Sequence, residues 1–164
     1  PFFKPDQMQG LINNTLGGEH YSNINFLPVL QKNSEVNEFL NSVDIDLTGL
    51  SGGEGWNLPA FNATCLGKWS IVLNCTSHKD WATNENSILI NPSGDMPVSD
   101  GMFFNEQQPF NQGTFYTWTE EEAVWAMEEA EEKVGQINTE GVKLGDNMTY
   151  SKTVDSILSL IFKG

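Results

Sequence analysis

The stretch SGGEGWNLPAFNATCLGKWSIVLNC, residues 51–75, decides the fold. It opens with a cluster of glycines, continues as a short helical pattern with Pro59 in its first turn, and ends in the apolar run of residues 70–75. Proline in the first turn of a helix loses no hydrogen bond. Residues 44–50 (DIDLTGL), directly upstream, have the pattern of a strand. The order strand, glycine-rich turn, helix and buried strand is typical of a parallel α/β fold.

The segments on either side extend this alternation. Further strands are predicted at residues 24–30 and 87–91, and the spacing of apolar residues predicts helices at 6–16, about 34–43, about 58–66, about 120–134 and across Val154, Ile157, Leu158 and Ile161. We therefore expect one Rossmann-like, three-layer α/β domain with a parallel sheet over residues 1–164. The loop predicted at about 92–116 is longer than a simple connection between two elements, and loops of that length usually serve a function.

Charge and composition exclude several classes of protein. The chain has 22 acidic and 8 basic residues, a formal net charge of -14, and no arginine. Such a chain repels phosphate backbones and anionic membranes, so we expect neither nucleic-acid binding nor attachment to a membrane surface. No apolar run is long enough for a transmembrane helix. The 38% of hydrophobic residues supply enough material for a packed core.

The cysteines and the amino terminus predict a compartment. Cys65 and Cys75 are the only cysteines, and their spacing matches neither a disulfide framework nor a zinc site. Reduced thiols and the absence of a signal-like opening run predict a cytoplasmic protein. Because the chain starts at Pro1, we expect it to be a fragment of a longer reading frame.

The glycine-rich turn is the candidate ligand site. Ligands of open α/β sheets bind beyond the carboxyl ends of the strands, and free amides at a helix start attract phosphate. Glycines let a ligand approach the backbone closely. Glu54 lies within the turn, where a carboxylate can accept hydrogen bonds from sugar hydroxyls. A tight connection with a solvated glutamate is the alternative.

The segment GGEGWNLPAFNATCLGKWSIVLNCTSH, residues 52–78, resembles the signature of group 1 (family 4-like) glycosyltransferases. That signature reads Glu-Gly-aromatic-Gly-Leu-Pro, then Glu, Ala and a Cys-Gly before a buried strand. The likeness extends upstream through FLPVL (26–30) and NSEVNEFLNSV (33–43), and downstream through HKDWATNENSILINP (78–92), so it covers most of the chain.

The resemblance implies the carboxyl-terminal, donor-binding domain of a GT-B glycosyltransferase. The complete enzyme would transfer a sugar from a nucleotide-sugar donor to an unknown acceptor, with retention of configuration and without a metal or other cofactor. In that family one glutamate contacts the transferred sugar, and Glu54 matches it. A second glutamate holds the ribose, and its position falls on Asn62, a departure from the pattern. In that family, backbone amides of this turn form hydrogen bonds to the nucleotide sugar, and the matching positions here are Gly53, Gly55, Trp56, Asn57 and Leu58. The sequence is equally consistent with Trp56 as an aromatic residue of the core.

The resemblance also implies missing parts. The family neutralises the donor diphosphate with an arginine and a lysine that would lie upstream of Pro1, together with an amino-terminal acceptor domain. We therefore expect the isolated chain to bind a donor weakly and to be inactive, and the sequence assigns no catalytic residue. A sheet without its first strand–helix units would expose an edge and apolar surface, which predicts self-association.

Three alternatives stay open. His78 follows the end of a predicted strand, where it would line the cleft or occupy a surface turn. A non-catalytic binding or assembly module would keep the fold and lack the chemistry, which Asn62 and the missing basic pair favour. Asp44 and Asp46 superficially resemble the Asp-x-Asp of metal-dependent transferases, although a strand start explains Asp44 more simply.

Overall fold

The structure is a computed structural model that describes residues 5–99, 104–105, 110 and 112–162. The chain divides into two compact units, residues 1–35 and 36–164. In chain order the helices are α1 (Pro5–Thr15), α2 (Asn33–Ser42), α3 (Leu58–Cys65), α4 (Glu120–Glu131), α5 (Thr139–Asn147) and α6 (Tyr150–Phe162). The strands are β1 (Ile45–Gly49), β2 (Trp69–Leu73), β3 (Ile88–Ile90), β4 (Gly94–Pro97) and β5 (Thr114–Thr117).

The larger unit is a mixed α/β structure around a three-stranded parallel sheet. The strands lie in the order β1-β2-β3, with Ile45 opposite Trp69 and Val72 opposite Leu89. Crossovers through α3 and through a short 3₁₀ helix (Thr76–Asp80) keep the strands parallel. This architecture agrees with the Rossmann-like α/β class expected from the sequence.

Helices cover both faces of the sheet. On one face, α4 packs small residues against alternating β-branched and leucine side chains of the central strands; the buried members are Ile71, Leu73, Ile88, Ile90, Ala126 and Ala130. On the other face, Val72 packs against Ala60 of α3. Because successive residues of a strand point to opposite faces, the run SIVL supplies both cores.

Helix α5 was not predicted from the sequence. Glycines interrupt its apolar pattern, and glycine is a poor helix former. Those glycines instead allow α5 to approach α3: a Cβ on Gly141 would lie 2.2 Å from the Thr64 carbonyl oxygen, and one on Gly145 would lie 3.0 Å from the Cys65 Cβ. Asn138 caps the helix by accepting from the Gly141 amide at 2.8 Å. Close packing therefore outweighs helix propensity here.

The strand predicted at residues 24–30 is wrong. The segment forms no regular structure, and Phe26, Leu27 and Val29 are 58%, 59% and 69% exposed. None of residues 5–35 forms a strand that could pair with this segment. A β-strand needs a partner strand to pair its backbone N–H and C=O groups. Because this apolar run has no such partner, it does not form a strand.

The carboxyl-terminal helix α6 presents an uncovered apolar surface. None of its residues is buried, and Val154, Ile157, Leu158 and Ile161 lie at helical spacing with exposed fractions of 44% to 63%. Throughout the described part of the chain, no helix is both long enough and apolar enough to cross a membrane.

Candidate functional site

The glycine-rich turn lies at the carboxyl edge of the sheet. Strand β1 ends at Gly49, and the chain passes through residues 50–57 into α3. The Ser77 hydroxyl, which follows the carboxyl end of β2, donates to the Glu54 carbonyl at 2.9 Å. The turn is therefore fixed beside the ends of two parallel strands, where open α/β sheets bind ligands.

Donors from neighbouring elements hold the carbonyls of Gly52, Glu54 and Trp56 in the turn. The Tyr116 amide donates to the Gly52 carbonyl at 3.1 Å, Ser77 Oγ donates to the Glu54 carbonyl, and Trp81 Nε1 donates to the Trp56 carbonyl at 3.1 Å. These three carbonyls belong to alternate residues of the turn. The hydrogen bonds that fix the turn are therefore made to its carbonyl oxygens.

Among the described residues, several backbone amides of the same turn have no acceptor. Within the described ranges, no hydrogen bond is donated by the backbone amides of Gly53, Gly55, Trp56, Asn57 and Leu58. Backbone N–H groups are strong donors, and nearly all find a partner in a folded protein or in bound solvent. A run of free amides at the start of a helix is suited to an anion or to hydroxyl acceptors.

Asn57 shapes the junction between the turn and α3. Its backbone adopts the left-handed conformation (φ 62°), which asparagine tolerates better than most residues. Its side-chain oxygen accepts from the Ala60 amide at 3.3 Å, and its Nδ2 donates to the Thr48 carbonyl at 2.8 Å. One side chain thus caps α3 and ties the turn back to β1.

His78 supports Asn57 from inside the protein. The imidazole is fully buried. Its Nδ1 lies 2.7 Å from the Leu73 carbonyl and its Nε2 lies 3.2 Å from Asn57 Nδ2. Because a carbonyl only accepts and Asn57 Nδ2 only donates, the ring carries its hydrogen on Nδ1 and accepts at Nε2. His78 therefore touches the turn through Asn57, and because it is fully buried it neither lines an open cleft nor occupies a surface turn.

Glu54 is half-buried, and its carboxylate is free. Across the residues that the structure describes, it accepts no hydrogen bond and forms no ion pair, and only its backbone carbonyl is held. A carboxylate that is partly shielded and unpartnered retains its full capacity to accept hydrogen bonds from a ligand. It therefore remains the best-placed acidic group of the turn.

The other side chains of the expected site lie either on the surface of α3 or in an aromatic cluster under the turn. Asn62 is exposed on α3, and Leu58 is 62% exposed at its start. Trp56 is half-buried and packs edge-to-face on Phe61 at 5.4 Å between ring centroids. Phe61 in turn contacts the ring of Trp81. Trp56 thus belongs to the aromatic cluster under the turn.

A β-hairpin lies against the other side of the turn. Strands β4 and β5 pair antiparallel, and a Cβ on Gly52 would lie 1.9 Å from the Tyr116 carbonyl oxygen. Trp118 Nε1 also donates to the Leu50 carbonyl at 2.9 Å. Between turn and hairpin is an open cleft of about 370 Å³, whose apolar walls include Met96, Tyr116 and Trp118.

This hairpin occupies part of the region predicted as a long loop. Residues 100–103, 106–109 and 111 of that loop lie outside the described residues. Neither the hairpin nor its contact with Gly52 was predicted. The alternating pattern of TFYTW at 114–118 is the signal that could have indicated a strand.

The two aspartates of the Asp-x-Asp motif have different surroundings. Asp46 is buried, and its oxygens accept from the Thr48 hydroxyl at 2.9 Å and 3.0 Å. Burial raises the pKa of the Asp46 carboxyl, an effect that hydrogen bonds from Thr48 and Ser70 partly oppose. Asp44 is exposed ahead of β1. In the described part of the chain, no three His, Cys, Asp or Glu side chains are grouped for a metal.

The cysteines are both free. Burial raises the pKa of the half-buried Cys65 thiol to about 11, and it also raises the pKa of the buried Cys75 thiol. A raised pKa keeps a thiol protonated and unreactive at neutral pH. Neither thiol therefore suits a nucleophilic role.

Comparison with known proteins adds no assignment. The chain matches no protein-family model, and no curated protein matches it.

Proposed function

We propose that this chain is the nucleotide-sugar-binding half of a GT-B glycosyltransferase that transfers a sugar to an acceptor with retention of configuration. The observation that carries the proposal is the turn at the carboxyl edge of the sheet, with free amides and the free Glu54 carboxylate on one short segment. Amides complement the negative charge of a diphosphate, and a carboxylate complements sugar hydroxyls. A nucleotide sugar offers both groups side by side.

Asn62 weakens the expected ribose contact. Its exposed side chain accepts no bond from any residue that the structure describes, and it can still offer one acceptor and one donor to a ribose. It lacks the charge of a carboxylate, and a hydrogen bond to a charged group contributes about 1.5–3 kcal/mol. An asparagine at this position, where the family has a glutamate, therefore lowers the affinity for the nucleotide sugar about tenfold to a hundredfold.

The charge of the chain weakens donor binding further. With a net charge of -14 and no arginine, the chain repels a diphosphate. Efficient transfer therefore requires basic residues and an acceptor site contributed from outside this chain. Free amides orient the phosphates, while cations would neutralise them.

Calorimetric titration tests donor binding. We would titrate the chain with UDP, GDP and ADP and with the corresponding glucose conjugates, in about 0.15 M salt to screen the repulsion. The expected result is weak binding of one diphosphate and tighter binding of its sugar conjugate. Glu54→Ala should abolish the gain from the sugar while leaving diphosphate affinity unchanged.

Glu128→Ala is the matched control, because Glu128 is an exposed acidic residue on α4, outside the turn. It should bind every ligand as the unaltered chain does. If no diphosphate and no sugar conjugate binds at millimolar concentration, the donor-binding proposal is refuted.

A non-catalytic assembly module is the second candidate, and the exposed apolar face of α6 favours it. Such a module would bind a protein partner and no nucleotide. The same titration separates the two functions, because a module of this kind gives no heat with any donor.

A further inference from the structure

We propose that a small cavity at the amino edge of the parallel sheet binds one residue of a neutral carbohydrate. The cavity has a volume of about 210 Å³ and is lined by α4 and by the starts of β2 and β3. Its polar and aromatic members are Trp69, Asn84, Ser87, Trp125, Glu129 and Lys133. The proposal goes beyond donor binding at the glycine-rich turn and does not depend on it.

The cavity lies at the edge of the sheet opposite the glycine-rich turn. Trp69 is the first residue of β2, and Ile88 is the first residue of β3. The strands are parallel, so their amino ends share one edge of the sheet and their carboxyl ends share the other. The turn follows Gly49, at the carboxyl end of β1. The cavity is therefore a separate site and not an extension of the turn.

A buried donor without a partner belongs to the wall of this cavity. Trp69 Nε1 is shielded from solvent and has no acceptor among the residues that the structure describes. In that part of the chain, it is the one buried side-chain nitrogen or oxygen without a hydrogen bond. Buried polar groups almost always have a partner, because an unmade hydrogen bond is costly. An oxygen atom of a ligand in the cavity gives this N–H its acceptor.

Three side chains at intervals of four residues form the outer wall. Trp125 and Glu129 lie on α4 and Lys133 follows its end, so the three lie along one side of the helix. Trp125 is 49% exposed and offers a flat apolar surface to a ligand. Lys133 Nζ lies 4.7 Å from the centroid of the Trp69 ring, and this cation–π contact keeps the ammonium at the cavity.

The polar groups of the wall are not used up by contacts with one another. Among the described residues, neither the Glu129 carboxylate nor the Lys133 ammonium forms an ion pair. The Asn84 side chain, which is exposed at the rim, likewise makes no hydrogen bond within the described ranges. The wall therefore offers a carboxylate, an ammonium, an amide and an indole N–H to one ligand.

This set of groups favours a neutral ring that carries hydroxyls. The opposite charges of Glu129 and Lys133 offset each other, and the net charge of -14 disfavours an anion. A hydroxyl both donates and accepts, so it pairs with each polar group of the wall. The C–H face of a sugar ring packs on an indole. The cavity is smaller than pockets for drug-sized ligands, which span about 300–1,000 Å³, so it suits a single sugar residue.

NMR titration with monosaccharides tests the proposal. We would add glucose, galactose, mannose and N-acetylglucosamine separately to the ¹⁵N-labelled chain and follow the indole N–H resonances of its five tryptophans. Trp69→Phe identifies the resonance of Trp69. We expect at least one sugar to shift this resonance in a saturable manner, because the indole N–H gains an acceptor.

Two exposed side chains are altered to place the sugar in the cavity. We expect Trp125→Ala to weaken binding about threefold to tenfold through the loss of the apolar platform, and Glu129→Gln to weaken it by a similar factor because a charged acceptor is lost. Val124→Ala and Glu128→Gln are the matched controls, since both residues are exposed on α4 beside the altered ones but outside the cavity. Both controls should bind the sugar as the unaltered chain does.

The outcomes distinguish this site from donor binding at the turn. If none of the four sugars shifts the Trp69 resonance, the proposal is refuted. Unchanged affinity of Trp125→Ala and Glu129→Gln for a sugar that does shift it also overturns the proposal, because the sugar then binds elsewhere. A shift caused by inorganic phosphate and by no sugar identifies an anion site and overturns it as well. Glu54→Ala should leave sugar binding at the cavity unchanged, so the two sites succeed or fail separately.

Discussion

Gly52→Ala should detach the hairpin from the glycine-rich turn. The new Cβ would lie 1.9 Å from the Tyr116 carbonyl oxygen, whereas the Cβ atoms of real proteins essentially never approach another atom below 3.0 Å. Relief requires a backbone shift of about 1 Å, the difference between those two distances. Such a shift breaks the bond from the Tyr116 amide to Gly52 and strains the bond from Trp118 to Leu50. The broken bond costs about 1 kcal/mol and the strained bond up to the same amount, so the hairpin is destabilised by about 1–2 kcal/mol.

Gly55→Ala is the matched control, because no atom lies within 4 Å of a Cβ built at Gly55 and its φ is not positive. We expect it to change the free energy of unfolding by less than about 0.5 kcal/mol. Urea denaturation followed by far-UV circular dichroism, with hydrogen exchange of residues 114–118, measures both variants. Equal midpoints and equal exchange rates for the two alanine variants would refute the steric reasoning.

Three further predictions follow from the described contacts. Burial raises the pKa of the Asp46 carboxyl above its ordinary value of 3.8, so the folded protein holds this proton more tightly than the unfolded chain does. The free energy of unfolding of the wild type therefore falls as the pH rises from 3.8 through the higher pKa of the folded state. Asp46→Asn should therefore gain stability relative to wild type between pH 3 and pH 7; urea denaturation showing a pH-independent difference would contradict this. Thr119→Ala removes the hydroxyl that caps α4 and should lower the free energy of unfolding by about 1 kcal/mol in thermal denaturation, whereas Thr119→Ser should retain most of it. Ile161→Asp should reduce self-association in light scattering because Ile161 is 63% exposed on α6, and a monomeric wild-type chain at all concentrations would overturn the expectation.

The central part of the fold was predictable because local and tertiary preferences agree there. Strand β2 is a continuous apolar run, and such runs indicate a strand buried on both faces. The end of α3 was equally clear: Gly67 follows it with φ 82°, a conformation that glycine adopts without strain. Pattern and packing point to the same structure in both places.

The remaining elements depend on contacts that a sequence pattern does not contain. Helix α5 exists because Gly141 and Gly145 let two backbones approach, which reverses the usual meaning of glycine in a helix. Residues 24–30 have the composition of a strand but no partner. The hairpin pairs residues separated by a long loop, and its place on Gly52 depends on that tertiary contact.

The position of the glycine-rich turn was predictable from the sequence, whereas the side chains that hold the turn in place were not. The glycine cluster indicated the turn, and Glu54 indicated its acidic group. The roles of Ser77 and Trp81 could not be predicted, because each acts on a residue more than twenty positions earlier through a hydrogen bond. The burial of His78 likewise depends on Asn57 and on the end of β2.

The aromatic surroundings of the turn give the protein a built-in optical reporter. Three of its five tryptophans, Trp56, Trp81 and Trp118, lie in the turn or donate to its carbonyls. Indole emission responds to changes in polarity and to stacking with a nucleobase. Occupancy of the turn should therefore be readable from intrinsic fluorescence in a label-free screen.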